Sequence, residues 1–160
     1  LSIHADANPV ASVRGASVYT LSEARSDKML AEVADEGDFR IFNREFSAED
    51  REVSSILFDL AKTDTKNQSE RLAAALIRNM QGRIKMVNNT HRHAALVVLL
   101  SPDVPAVLVE LAFMSNELDE ANLGSRTWRN NATMAIADGI DAYFATGRRA
   151  GAASGSARGN

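Results

Sequence analysis

Two apolar blocks stand out in the alternation of hydrophobic and polar positions. Residues 94–100 and 106–111 are short runs of Val, Leu and Ala, broken only by Glu110 and separated by Ser-Pro-Asp-Val-Pro. Continuous runs of this length bounded by turn residues predict strands covered on both faces. Residues 1–4 read as the tail of another strand, and residues 15–20 alternate well enough for a fourth. Elsewhere the apolar positions recur at helical spacing. Ser22 is placed to cap a helix over 23–36, with Gly37 as its stop. Val53, Ile56, Leu57 and Leu60 predict a helix over about 48–62, and Ser47 with Asp50 resembles a capping box ahead of it. The polar stretch 63–69 reads as a turn, after which Ser69 could cap a helix whose stripe is Leu72, Ala75, Leu76 and Met80, ending near Gly82. Ser115-Asn116 opens a short helix ending near Gly124. Trp128, Ala132, Ala135, Ile136, Ile140 and Phe144 predict a last helix over about 126–145.

Residues 37–52 carry Phe39, Ile41, Phe42 and Phe46 with no clean period. Beyond Gly147 the chain is Gly, Ala, Ser and Arg, too poor in apolar side chains to offset the entropy of ordering, so 147–160 is expected to be a flexible tail. Strands alternating with helices predict an α/β fold, a mixed sheet flanked by helices on both faces. In such sheets sites gather outside the carboxyl ends of strands.

Two chemically distinctive residues fall at such ends. Glu110 follows the apolar run Val107-Leu-Val109, where an ionised carboxylate loses hydration unless a cation or a proton compensates it. His4 ends the first short strand. A His and a Glu so placed suggest a metal site with a general base. On spacing alone the plainer alternatives stay open: a turn histidine, and a salt-bridged or capping glutamate. His91-Arg92-His93 looks like a metal or phosphate cluster, since i and i+2 share a strand face. At the entry to a strand, however, it reads first as a solvated polar cap.

Composition narrows the class. A chain of 160 residues suits one domain with a proper core, and 45% hydrophobic with 24% charged residues is ordinary for a globular protein. A net charge of −3 disfavours nucleic-acid binding. No cysteine is present, which excludes disulfides, thiolate nucleophiles and Cys-based zinc sites. No apolar run approaches the ~20 residues of a membrane span.

Five segments then occur in a telling order: Ser2-Ile-His-Ala-Asp-Ala-Asn8, Arg14-Gly-Ala-Ser-Val-Tyr-Thr-Leu-Ser22, Val53-Ser-Ser-Ile-Leu-Phe-Asp-Leu-Ala61, Leu99-Leu-Ser-Pro-Asp-Val-Pro-Ala-Val-Leu-Val-Glu110 and Phe113-Met-Ser-Asn116. Over about residues 1–146 the chain resembles the zinc-dependent N-acetylmuramoyl-L-alanine amidases of the amidase-3 family, most of all their periplasmic, division-associated branch. The resemblance implies a zinc-amidase-like fold, Zn²⁺ as cofactor, peptidoglycan as substrate, a division-associated activator protein as partner and a periplasmic location. His4 matches the family's second His ligand, and Glu110 matches its catalytic Glu. The family's first His and its ligand Glu match positions ahead of Leu1. The chain is therefore expected to be the C-terminal two-thirds of the domain, with its first strand or strands missing and an unpaired sheet edge. The branch's regulatory helical insertion corresponds to about 31–52, where Glu36 is the candidate autoinhibitory metal ligand. The competing expectation is a non-catalytic peptidoglycan-binding or regulatory module that keeps the fold without the metal.

Overall fold

The computed structural model describes residues 1–22, 51–101 and 103–156. Four strands, β1 (Ser2–Asp6), β2 (Ala16–Leu21), β3 (Met86–Ala94) and β4 (Leu108–Phe113), form one sheet in the order β1-β4-β2-β3. β1 pairs parallel with β4, β4 antiparallel with β2, and β2 parallel with β3. The expected mixed α/β sheet is therefore present. Among the described residues three helices accompany it: α1 (Arg51–Met80), α2 (Glu117–Gly124) and α3 (Arg126–Ser156). Among the described residues none is long and apolar enough to cross a membrane. The expected helix over 23–36, the Ser47 and Asp50 capping pair, Glu36 and nearly all of the 31–52 insertion lie outside the described residues.

The core lies between one face of the sheet and the pair α1 and α3. Ala16 and Val18 of β2 and Val107 and Val109 of β4 meet Leu72, Ala73, Leu76 and Met80 of α1 and Ala132, Ala135 and Ile136 of α3. Alternation along a strand then turns Ser17, Leu108 and Glu110 to the opposite face. Two glycines set close approaches. Gly139 lets α3 cross α1 so tightly that a Cβ there would lie 2.9 Å from the Leu76 Cα. Gly15 starts β2 at φ +101°, a conformation that favours glycine, with its Cα side against the Lys85 and Met86 backbone.

Several expectations are corrected. The helices expected over 48–62 and from Ser69 are a single helix, with no turn at 63–69. That stretch has neither Gly nor Pro. Its buried Thr65 and Ser69 continue the core stripe at i and i+4 spacing toward Leu72 and Leu76. Ser69 is no cap: its hydroxyl donates to the Thr65 carbonyl (2.8 Å) and accepts from the Ala106 N–H (3.0 Å), tying α1 to the entry of β4. Leu60, expected in the buried stripe, is 65% exposed; the side chains of Val53, Ile56 and Leu57 lie outside those described.

The strand expected over 94–100 is displaced. β3 occupies Met86–Ala94, and Val97–Leu99 is a 3-10 turn in which only Leu99 is buried. β3 is an edge strand with a solvated side, so a polar sequence can form it where an apolar run was expected. At the C-terminus α3 passes the expected end near Ala145 and reaches Ser156, where a flexible tail from 147 was expected. Phe144, expected in the core stripe, is largely exposed.

Candidate active site

The sheet brings His4 and Glu110 together. In the parallel β1–β4 pair their Cα atoms are register partners, so both side chains leave the same face, away from α1 and α3. Ser17 of β2 is the register partner of Glu110 on its other side. The carboxylate thus sits on the middle strand of three, flanked by an imidazole and a hydroxyl.

Glu110 is 5% exposed, and its Oε1 has no hydrogen-bond partner; the Ser17 hydroxyl, equally buried, has none either. Burial pushes the Glu110 carboxyl above the usual carboxylate range, and the charge of Asp6 adds to the rise. The Asp6 backbone N–H and the His4 ring pull the other way without cancelling it. His4 is exposed, with Nε2 2.8 Å from the hydroxyl of Ser2, its i−2 neighbour on the same face. A hydroxyl on that nitrogen is a contact a stronger electrophile can displace.

The loop after His4 is pinned by the Phe113-Met-Ser-Asn116 segment. The Asn8 N–H donates to Ser115 Oγ (2.9 Å), and Asn116 Nδ2 donates to the Ala11 carbonyl (2.7 Å). Asn116 also caps α2 by accepting from the Asp119 N–H. Asp119, 2% exposed, accepts from the backbone N–H of Gly15 (2.7 Å) and of Phe113 (3.1 Å) through one oxygen. Its other oxygen lies 3.3 Å from Arg14 Nε, an ion pair too poorly aligned to be a hydrogen bond. One buried carboxylate therefore locks the start of β2, the end of β4 and the first turn of α2. Neither Ser17 nor Asp119 stands out in the sequence. Only pairing across the sheet reveals the first, and only the closed loop reveals the second.

An imidazole nitrogen is a donor that zinc accepts, and a carboxylate with one free oxygen beside it can take up a proton. His4 is one ligand, and a catalytic zinc takes three from protein. Among the described residues the one cluster of three metal-ligating side chains is Glu70, His91 and His93, which excludes both His4 and Glu110. It lies on the α1 face, around the C-terminal ends of β2 and β3. Because β2 runs antiparallel to β4, that is the opposite end of the sheet from the ends of β1 and β4. The polar cap expected at His91 to His93 is thus a half-buried cluster with a helix partner.

Comparison with known proteins identifies the family. The family model for Amidase_3, N-acetylmuramoyl-L-alanine amidase, matches residues 1–142. The chain is 35% identical over 147 residues to N-acetylmuramoyl-L-alanine amidase AmiA of Salmonella typhimurium, covering 90% of this chain and 51% of the relative. It is 34% identical over 152 residues to AmiC of Escherichia coli O6:H1, covering 92% and 36%. The chain spans about half the length of AmiA, and less of AmiC. Among solved structures, the CwlD amidase of Clostridioides difficile, in complex with the GerS lipoprotein, superposes with a TM-score of 0.61 at 18% identity, covering 91% of this chain and 53% of that one. Ami1 of Mycobacterium smegmatis gives 0.58 at 19%, with the same coverage; both show likeness of fold. With its sheet, its motif order and nine-tenths of its length accounted for in this way, the chain belongs to the N-acetylmuramoyl-L-alanine amidase family, Amidase_3.

Proposed function

We propose that this chain contributes a zinc ligand, His4, and a catalytic carboxylate, Glu110, to a periplasmic amidase. Its reaction would be hydrolysis of the bond between N-acetylmuramic acid and L-alanine in peptidoglycan, serving cell-wall turnover and daughter-cell separation. The observation that carries the proposal is the Glu110 carboxylate: buried, with Oε1 unpartnered, one strand from an imidazole at the same register. A buried carboxyl with raised proton affinity holds a proton better than an exposed one, as a general base must.

Zinc, when bound, would polarise the scissile carbonyl and acidify water. The chain's own residues do the rest. His4, whose Nε2 now meets the Ser2 hydroxyl, would hold the metal. Glu110 takes the proton of the attacking water on its free Oε1 and returns it to the departing amide nitrogen. The remaining ligands are those the resemblance matches to positions ahead of Leu1. A protein activator belongs to the same reading, supported by the neighbour CwlD having been solved with a lipoprotein bound. Glu36, outside the described residues, is the proposed blocking ligand that the activator displaces.

The test is zinc content and peptidoglycan amide cleavage in the chain joined to its upstream coding sequence, compared with His4→Ala. Cleavage is expected in the first protein, with cleavage abolished and zinc lowered by one equivalent in the variant. Unchanged zinc together with absent cleavage in both would instead favour the non-catalytic peptidoglycan-binding module.

A further inference from the structure

We propose that Glu70, His91 and His93 form a second metal site, for a zinc-class divalent ion, which clips edge strand β3 to helix α1. His91 and His93 are i and i+2 on β3, so both rings face α1, where Glu70 meets them. His93 Nε2 lies 3.2 Å from Glu70 Oε1, and His91 Nε2 lies 3.6 Å from Glu70 Oε2. One ligand atom from each of the three groups fits within a 4.8 Å span. Zinc held tetrahedrally at ~2.0–2.1 Å sets its ligands ~3.3 Å apart. The cluster therefore needs little movement to close on an ion.

The two imidazoles sit with ring centroids 4.9 Å apart on a single carboxylate, so one divalent ion can answer all three groups. Two nitrogens and one carboxylate suit zinc, cobalt, nickel or copper rather than magnesium or calcium.

Thr20 supports the cluster from below. It is 1% exposed and is the register partner of His93. Its hydroxyl donates to Glu70 Oε1 at 2.8 Å and lies 3.0 Å from His91 Nε2. A buried hydroxyl on a ligating carboxylate fixes its orientation, the arrangement found behind bound metals. His93 and Glu70 remain partly open to solvent, which leaves an entry path and room for water at a fourth position. The site is on the opposite face from His4 and Glu110, so it stands whether or not those residues hold zinc.

The experiment is titration of Zn²⁺ into the tag-free chain against a chromophoric chelator, with Co²⁺ absorption as a probe of coordination geometry. The same is done for His4→Ala, for the double variant His91→Ala/His93→Ala, and for Thr20→Val. The chain and His4→Ala are expected to bind, with a tetrahedral-type Co²⁺ spectrum and a raised melting temperature. The double variant should lose at least about 100-fold in affinity and Thr20→Val about 10-fold, the scale on which groups around a metal act. Should a variant fail to fold, Zn²⁺-induced shifts of the His91 and His93 ring nitrogens in the unmodified chain decide the matter. Binding that survives the double variant, binding lost in His4→Ala alone, or ring nitrogens of His91 and His93 that do not respond to Zn²⁺ would overturn the proposal.

Discussion

Glu110→Gln is expected to remove activity and add stability. In the chain joined to its upstream sequence, peptidoglycan amide cleavage should fall by roughly 10²–10⁴-fold, the usual contribution of a positioned general base. An amide keeps the shape but cannot take a proton. Chromatography of released stem peptides reads this directly, and activity within a few-fold of the parent would remove Glu110 from the chemistry. In the metal-free chain the same change acts on folding. The carboxyl's proton affinity is raised above its ordinary value of 4.5, chiefly by burial. Its protonated form is therefore the one the fold favours. That contribution is complete below the unfolded-state pKa and disappears as pH rises through the folded-state value. Each tenfold gain in proton affinity on folding corresponds to about 1.4 kcal/mol. Gln has no charge to bury. Urea unfolding should show the variant more stable than the parent at pH 7, and the difference should shrink at pH 4. An equal difference at both pH values would mean that ionisation is not the cause.

Asp119→Ala should produce the largest loss of stability. The substitution strands the backbone N–H groups of Gly15 and Phe113 and removes the partner of Arg14. Leaving buried donors and a charge without their partner costs about 3 kcal/mol. For a chain of this size that corresponds to a fall on the order of 10 °C in melting temperature. Asp119→Asn, which keeps one acceptor oxygen for the two N–H groups, should lose less. Equal loss in both variants would assign the effect to charge alone. Since the same carboxylate closes the loop behind His4, the Ala variant should also bind zinc more weakly at His4 in the chain joined to its upstream sequence.

Much of the architecture follows from residues that can be read in order. Gly15 ahead of an alternating run, Val107 to Val109 ahead of Glu110, and Asn116 ahead of an acidic first turn mark β2, β4 and α2 because each signal is local. The failures have a common physical origin. Thr65 and Ser69 look like turn residues until a neighbouring strand offers an N–H to the Ser69 hydroxyl. Val97 and Val98 look like a strand, yet the hydrogen bonds of β2 go to the more polar residues before them. His4 and Glu110 are legible as a His and a Glu beside apolar runs and from resemblance, although both lie inside their strands rather than at the expected ends. Their adjacency, and the unpartnered Oε1 beside Ser17, require the order of the strands. Glu70 carries no signal at all in sequence, being one acidic residue on a long helix.

That helix is far longer than the sheet it covers. Thirty residues rise about 45 Å, whereas the six of β2 span about 20 Å. Its last turns are clamped between the sheet and α3, where Gly139 brings the two helices together at Leu76. Leu60, nearer the start, is exposed. A stiff helix held at its last turns acts as a lever whose fulcrum lies near one end. A tilt of ~5° about Leu76 moves the far tip by ~3 Å, since about 25 residues of rise lie between them. Glu70 lies on the arm, close to the fulcrum, where the same tilt amounts to a fraction of an ångström. Force applied at the start of the helix would arrive at that carboxylate geared down, as fine adjustment.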